Sequence, residues 1–211
     1  MKIKLCGFTD IDSINVAVEN KCDFLGFVFY DKSPRNIDLS KAILITKNIP
    51  KTIQKVAVLV DPNQLFLDEI IEKFKPDFLQ FHGSETIDFL KTVKQKFPLI
   101  KIIKAFKIND SGDLKAVNDF ANFCDFFLFD AKEAGSGKKF DWKILQNFDF
   151  KKDFFLSGGI NINNIEEALQ ISGAKLLDIS SGIEEVRGKK SPKLIKELMD
   201  KFNQINNVLK S

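Results

Sequence analysis

Short apolar runs alternate with amphipathic stretches along the chain, and the pattern repeats eight times. The apolar runs predict strands at residues 2–6, 24–29, 54–60, 77–81, 100–105, 125–130, 153–157 and 176–180. The remaining stretches predict helices near residues 10–20, 39–48, 63–74, 85–96, 112–120, 142–147, 162–171 and 191–208. Strands that alternate with helices of this length form βαβ units, so the sequence predicts an α/β fold with a parallel sheet.

Two architectures fit this pattern: a closed (β/α)8 TIM barrel and an open, doubly wound sheet. Eight strand–helix units favour the barrel, and polar clusters stand at the ends of several strands instead of at one switch point. No linker interrupts the pattern, so we expect residues 1–211 to form a single domain with eight parallel strands.

Side-chain alternation along the strands indicates which residues point into the barrel. On the first, fourth and sixth strands it directs Cys6, His82 and Asp130 inward, at the C-terminal ends where barrel enzymes build their active sites. Four further polar side chains are expected to point inward and to satisfy one another: Lys4, Gln80, Lys104 and Asp178.

Two dipeptides resemble the start of a helix. Asp61-Pro62 and Ser191-Pro192 each combine a capping side chain with a proline suited to the first helical position. We therefore expect a helix to begin at each of them.

Composition narrows the possible functions. The chain has 22 phenylalanines, which we interpret as core filling, and a net charge of +3 with lysines interleaved among acids. A nucleic-acid partner would need a clustered basic face, and no apolar run is long enough to span a membrane. We expect neither partner.

The cysteines and the single histidine limit metal chemistry. The three cysteines, Cys6, Cys22 and Cys124, form no CxxC pair, so we expect no structural zinc site. Free thiols are typical of a reducing compartment, and the N-terminus does not resemble a signal peptide. We therefore expect a cytoplasmic protein. In the absence of an obvious apolar surface stripe we expect a monomer, with a homodimer as the alternative.

Glycine-rich turns follow the seventh and eighth predicted strands. Gly158-Gly159 and Ser181-Gly182 stand where (β/α)8 enzymes often bind phosphate through backbone amides. Either pair alone could be a simple turn, but their occurrence at both strand ends favours a phosphate site.

Cys6 and Asp130 are candidates for acid–base chemistry. Cys6 ends the first strand and could act as a base if it forms a thiolate, although a free cysteine is more often a packing residue. Asp130 ends the sixth strand and could act as an acid, or it could only cap the following segment.

Three other features are candidates for substrate contacts. Arg35 follows the second strand and could hold a carboxylate with its planar fork, or it could be a surface arginine. His82 ends the fourth strand, where a half-buried structural histidine is the alternative. The glycine-rich segment Gly135-Ser136-Gly137 could form a lid after the sixth strand.

Taken together, these motifs resemble phosphoribosylanthranilate isomerase. The similarity extends from about residue 4 to residue 190 and rests on several segments in the expected order: Lys4–Thr9, Gly26–Phe29, Ser33–Arg35, Leu79–Glu85, Lys104–Phe106, Asp130, Gly135–Trp142, Ser157–Ile160 and Asp178–Glu184. Phe81, where leucine is common, and the serine within the glycine-rich segment depart from the pattern without affecting the acid–base pair.

The resemblance implies a single-barrel enzyme of tryptophan biosynthesis that needs no cofactor or metal. It would convert N-(5-phosphoribosyl)anthranilate to 1-(2-carboxyphenylamino)-1-deoxyribulose 5-phosphate by an Amadori rearrangement. The resemblance assigns general base to Cys6, general acid to Asp130 and the anthranilate carboxylate to Arg35. It assigns the phosphate to four residues, Gly158, Gly159, Ser181 and Gly182, and places His82 near the substrate.

Two alternatives remain. Another phosphate-binding barrel, such as an indole-glycerol-phosphate synthase or a sugar-phosphate epimerase, would need a different acid–base set. A catalytically silent barrel could bind a phosphorylated metabolite, but such a protein would not need Cys6, Arg35 and Asp130 together.

Overall fold

Eight parallel strands close into a barrel in the computed structural model, which describes residues 1–131 and 140–208. The strands are β1 (Lys2–Cys6), β2 (Phe24–Phe29), β3 (Gln54–Leu59), β4 (Phe78–Phe81), β5 (Lys101–Ile108), β6 (Phe126–Ala131), β7 (Phe154–Leu156) and β8 (Leu176–Ile179). They hydrogen-bond in sequence order, and β8 pairs with β1 in parallel to close the barrel. The predicted TIM barrel is confirmed, and the open sheet is excluded.

Helices cover the outside of the barrel. They are α1 (Ile11–Glu19), α2 (Leu39–Thr46), α3 (Gln64–Glu69, continued by a π-helical turn at Ile70–Phe74), α4 (Ile87–Lys96), α5 (Ile165–Ser172) and α6 (Pro192–Val208). After β5 and β6 the chain instead forms short 3₁₀ segments at Ser111–Leu114, Val117–Phe120 and Trp142–Leu145. Apart from Ser111, which precedes the predicted helix by one residue, they lie within regions predicted to be helical.

Phenylalanine fills much of the core, as its abundance predicted. Phe24, Phe78, Phe126 and Phe155 form a ring inside the barrel near the N-terminal ends of the strands. Three of their four contacts are edge-to-face, with ring centroids 5.3–5.7 Å apart, the arrangement that aromatic quadrupoles favour. The ring fills the interior of the barrel at this end, whereas the opposite end is open.

A small antiparallel hairpin follows β8 and was not predicted. The chain passes through a 3₁₀ turn at Ser181–Ile183 and forms β9 (Glu184–Val186) and β10 (Lys189–Lys190). Gly188 lies between these strands with φ at +88°, and a side chain there would strike the Pro34 carbonyl oxygen. The hairpin is therefore packed against the loop that follows β2.

One of the two predicted helix starts is wrong. Ser191 does precede α6, and its carbonyl accepts the first helical hydrogen bond from Ile195. Asp61, however, has φ at +44°, and its carboxylate accepts a hydrogen bond from the Ser84 amide across the neighbouring loop. Asn63 caps α3 instead, by accepting from the Phe66 amide.

Within residues 1–131 and 140–208, no helix is both long and apolar enough to cross a membrane.

Candidate active site

A pocket opens at the C-terminal ends of the barrel strands, opposite the phenylalanine ring. Seven of the eight residues singled out from the sequence line it: Cys6, Arg35, His82, Asp130, Gly158, Gly159 and Ser181. They come from the ends of six different strands and were recognised from short, separate motifs. Closure of the barrel is what brings them together.

Cys6 is at the end of β1, and two glycines make room for it and its neighbours. Gly26 pairs with Cys6 on β2, and a Cβ atom at Gly26 would lie only 2.6 Å from the Cys6 Sγ atom. Gly7 has φ at +90°, and a Cβ there would lie 2.7 Å from Arg35 Cδ. Gly26 and Gly7 therefore allow the Cys6 thiol and the Arg35 guanidinium to lie at the same end of the barrel.

Lys4 lies directly below Cys6, on the same inward face of β1. Its ammonium is completely buried and contacts Asp178 Oδ1 at 2.7 Å. Burial opposes the charge on Lys4, but Asp178 and the neighbouring thiol hold its pKa above the ordinary value. Two of the four polar side chains expected to meet inside the barrel therefore do so.

Burial raises the pKa of the Cys6 thiol above its ordinary value, while the charges of Lys4 and Lys190 oppose this effect. Only 6% of Cys6 is exposed, and the thiol form is favoured in the free protein. A thiolate at this position depends on the cations that surround it.

Gln80, His82 and Asp130 form a polar line across the pocket. Gln80 Nε2 lies 3.0 Å from His82 Nδ1. The other ring nitrogen, Nε2, is 3.3 Å from Asp130 Oδ2, but the geometry is not that of a hydrogen bond. Asp130 accepts a hydrogen bond from the amide of its neighbour, Ala131, at 2.9 Å. The histidine ring therefore faces the carboxyl group.

Arg35 is part of a buried network instead of lying free on the surface. Its Nε and Nη2 atoms donate to the two carboxylate oxygens of Glu184 at 2.7 and 2.9 Å. Lys190 donates to the same carboxylate at 2.8 Å. Burial alone would raise the pKa of Glu184, but Arg35 and Lys190 hold it below its ordinary value. Among the residues that the structure describes, these contacts engage two of the five N–H groups of the guanidinium and leave three for a ligand.

The glycine-rich turns after β7 and β8 differ in their relation to the pocket. Gly158 and Gly159 line it with φ at +90° and +70°, and their amides donate no hydrogen bond within the described chain. Gly182 does not line the pocket. A side chain on it would overlap the Ile160 carbonyl oxygen, so Gly182 lets the two loops pack together.

Lys104 does not point into the barrel, contrary to the sequence-based expectation. Ile103 and Ala105 face inward, so Lys104 faces the helices. Its ammonium contacts Glu85 at 2.6 Å and the Gly83 carbonyl at 2.8 Å. This pair braces the loop after β4, and Gln80 interacts with His82 instead of with Lys104.

Several residues that line the pocket were missed. Lys107 was overlooked because β5 was expected to end at residue 105, whereas the strand continues and pairs Lys107 with Asp130. Extending the alternation from Ile103 and Ala105 would have found it. Three further side chains come from the loop after β2 and from the hairpin: Tyr30, Lys32 and Arg187.

The pocket is thus suited to an anionic molecule that undergoes proton transfer. Among the described residues, four cationic side chains line it, against the two carboxyl groups of Asp130 and Asp178: Lys32, Arg35, Lys107 and Arg187. A thiol and a carboxyl group reach it from β1 and β6, on different sides of the barrel. The segment Gly135–Gly137, considered as a lid, lies outside the described residues.

Comparison with known proteins agrees with this geometry. The family described as N-(5'-phosphoribosyl)anthranilate (PRA) isomerase matches residues 3–201. The N-(5'-phosphoribosyl)anthranilate isomerase of Rhodopseudomonas palustris strain TIE-1 is 38% identical over 204 residues, which cover 93% of this chain and 95% of that protein.

Solved structures give the same result. A phosphoribosylanthranilate isomerase bound to reduced 1-(o-carboxyphenylamino)-1-deoxyribulose 5-phosphate superposes with a TM-score of 0.86 at 27% identity, over 97% of this chain and 99% of that one. A structure of monomers generated from the dimeric enzyme of Thermotoga maritima has the same TM-score, identity and coverage.

Proposed function

The chain belongs to the N-(5'-phosphoribosyl)anthranilate isomerase family and catalyses that isomerisation in tryptophan biosynthesis, and we propose that Cys6 and Asp130 are its base and its acid. The observation that carries this assignment is that a buried thiol and a buried carboxyl group line one pocket from β1 and β6. The substrate, a phosphorylated ribosylamine of anthranilate, fits a pocket lined by several cations.

The reaction needs two proton transfers at different positions of the sugar. In the first, Asp130 gives a proton to the ring oxygen, the C1–O bond breaks, and the nitrogen lone pair forms a protonated Schiff base. In the second, the Cys6 thiolate removes the proton from C2, and the electron pair moves toward nitrogen to give an enolamine. Protonation of C1 and loss of the C2 hydroxyl proton then yield the ketose.

Cys6 must lose its proton before it can act as the base. Burial raises the pKa of the thiol above its ordinary value, so only a minor fraction of the protein carries the thiolate at neutral pH. Activity is therefore expected to depend on how well the pocket stabilises the thiolate.

Arg35 is proposed to bind the anthranilate carboxylate. Glu184 engages the guanidinium through Nε and one Nη2 hydrogen, which leaves the Nη1–Nη2 end free to face a ligand. A planar fork fixed in this way matches a carboxylate without further ordering of the side chain. Glu184 is then the residue that positions Arg35.

The turns after β7 and β8 are proposed to bind the phosphate. Gly158, Gly159 and Ser181 line the pocket there, and the two glycine amides have no acceptor in the described chain. Backbone N–H groups of this kind are well suited to phosphate oxygens. Gly182 contributes by allowing close packing of the two turns.

The test is a fluorescence assay with phosphoribosylanthranilate generated in situ. Cys6→Ala and Asp130→Asn are each expected to lower kcat at least about a hundredfold, the usual range for a positioned proton-transfer group. Cys22→Ala and Asp125→Asn are matched controls, since Cys22 is a buried thiol away from the pocket and Asp125 lies at the opposite end of β6.

Near-normal turnover of folded Cys6→Ala or Asp130→Asn would remove that residue from the mechanism. An equal loss of kcat in a control variant would show that the effect arises from a disturbed fold. The cytoplasmic location and the monomeric state stay predictions, and the similar enzyme of Thermotoga maritima is dimeric.

A further inference from the structure

An ion pair is buried inside the barrel, where apolar side chains could fill the same space. Lys4 is fully buried, and Asp178, its partner, is 5% exposed. Taking two such groups out of water has a large unfavourable cost, and apolar residues of similar volume are often as stabilising or more so. Asp178 lines the pocket and Lys4 lies directly below Cys6, so the position of this pair calls for a functional explanation.

Lys4 and Cys6 are two residues apart on one strand, so their side chains project from the same face about 6.6 Å apart at the backbone. Asp178 lies beside Lys4 in the register of β8 against β1. Asp178 fixes the ammonium from the side, and Cys6 is the next inward side chain toward the pocket.

We propose that Lys4 is a positioning residue that stabilises the thiolate of Cys6, with Asp178 holding the Lys4 ammonium in place. The inference rests on the proposed role of Cys6 as the base. It assigns the buried ion pair to the chemistry of the pocket and not to the stability of the barrel.

The charges around Cys6 support this assignment. Burial raises the pKa of the thiol most, the positive charge of Lys4 is the largest opposing influence, and Asp178 and Lys190 contribute less. Other titratable groups line the pocket or contact Arg35 from other elements: Tyr30, Lys32, Arg35, His82, Lys107, Asp130, Glu184 and Arg187. The largest influences on the thiol come from none of these groups.

The variant Lys4→Met removes the charge while keeping a side chain of similar length. The midpoint of the Cys6 thiolate titration is expected to move up by at least about one pH unit, a tenfold loss of thiolate at a given pH. This is measured as thiolate absorbance in the far ultraviolet, with the Cys6→Ala protein subtracted.

The kinetic profile should change in a way that a structural defect would not produce. The limb of the kcat/KM profile that reports ionisation of the thiol should move upward together with the titration. At neutral pH kcat/KM should fall about threefold to tenfold, since a more basic thiolate partly offsets its lower population. KM should change little, because Lys4 does not reach the pocket.

Lys104→Met is the matched control. It also removes a buried ammonium from an ion pair, but Lys104 is on the outer face of the barrel with Glu85. It should lower stability and leave the titration midpoint of Cys6 within about 0.3 pH units of wild type.

The double variant Lys4→Met/Asp178→Asn is the second test, because it leaves no unpaired charge if Lys4→Met folds poorly. It should move the titration in the same direction but less, because Asp178 by itself raises the pKa of Cys6. If the titration midpoint and the thiol limb of kcat/KM were unchanged in folded Lys4→Met, or in the double variant, the inference would be overturned. Failure of the proposed role of Cys6 would be recognised by a different result, because the Cys6→Ala variant would then remain active.

Discussion

Replacing Gly26 by alanine should impair catalysis without removing any reacting group. Gly26 lies on β2 opposite Cys6, and an added Cβ would be 2.6 Å from Cys6 Sγ and 3.1 Å from Cys6 Cα and Cβ. Ordinary contact distances are about 3.5–4.0 Å, so the sulfur must move by about 1 Å. The φ angle of Gly26 is not positive, so alanine adds no backbone strain.

The magnitude follows from the displacement. A misplacement of about 1 Å at a reacting group can lower the rate about a hundredfold, and we expect kcat/KM of Gly26→Ala to fall by that factor. Overpacking costs about 1–3 kcal/mol. For a chain of this size each kcal/mol lowers Tm by about 2–4 °C, so the protein should remain folded at assay temperature.

Gly173→Ala is the matched control for this prediction. Gly173 ends α5 with φ at +67°, and a Cβ there would meet nothing within 4 Å. It should lower Tm through backbone strain of about 1–2 kcal/mol while kcat/KM stays at the wild-type value. Turnover of Gly26→Ala within threefold of wild type would refute the argument that this glycine sets the position of the thiol.

Two further predictions concern the network around Arg35. Arg35→Ala should raise KM at least about tenfold and lower kcat less, because hydrogen bonds to a charged group contribute about 1.5–3 kcal/mol to binding. Arg35→Lys should not restore KM, since lysine lacks the fork, and an unchanged KM for Arg35→Ala in steady-state assays would contradict the role. Arg35 and Lys190 hold the pKa of Glu184 below 4.5, so its contribution to stability is present above that pH and is lost as pH falls through the folded value. Urea unfolding from pH 6 to 3 should therefore show a steeper loss of stability for wild type than for Glu184→Gln, and parallel curves would exclude this linkage.

The eight strands could be predicted from the sequence because each is a buried apolar run flanked by polar residues. Parallel strands covered by helices give such runs, and the predicted and observed limits agree within one or two residues for seven of them. β5 is the exception, since it continues to Ile108 through a mixed segment. That difference is why Lys107 was missed.

Side-chain direction was harder to predict where both faces of a strand are apolar. In β5, Ile102 and Ile103 are both buried, so alternation did not show which face carries Lys104. Its direction is set by Glu85 and the Gly83 carbonyl, 19 and 21 residues away along the chain. The position of such a partner is known only once the strands are assembled.

The binding site was predictable where motifs end strands, but its networks were not. Glu184 orients Arg35 from 149 residues away, and it does so from a hairpin whose short, charged strands give no apolar signal. The sequence therefore indicated that Arg35 is important but not that its fork is half engaged by another residue.

The two buried charge networks at this end of the barrel have a common arrangement. In each, a carboxylate holds a cation at the edge of the pocket: Asp178 holds Lys4 below the thiol, and Glu184 holds Arg35 and Lys190 beside it. Ion pairs at such depth are poor sources of stability, but a cation fixed before the substrate arrives need not reorganise when negative charge develops. On this argument, apolar replacement of the Lys4–Asp178 pair would yield a barrel that is at least as stable and a thiol that is a poorer base.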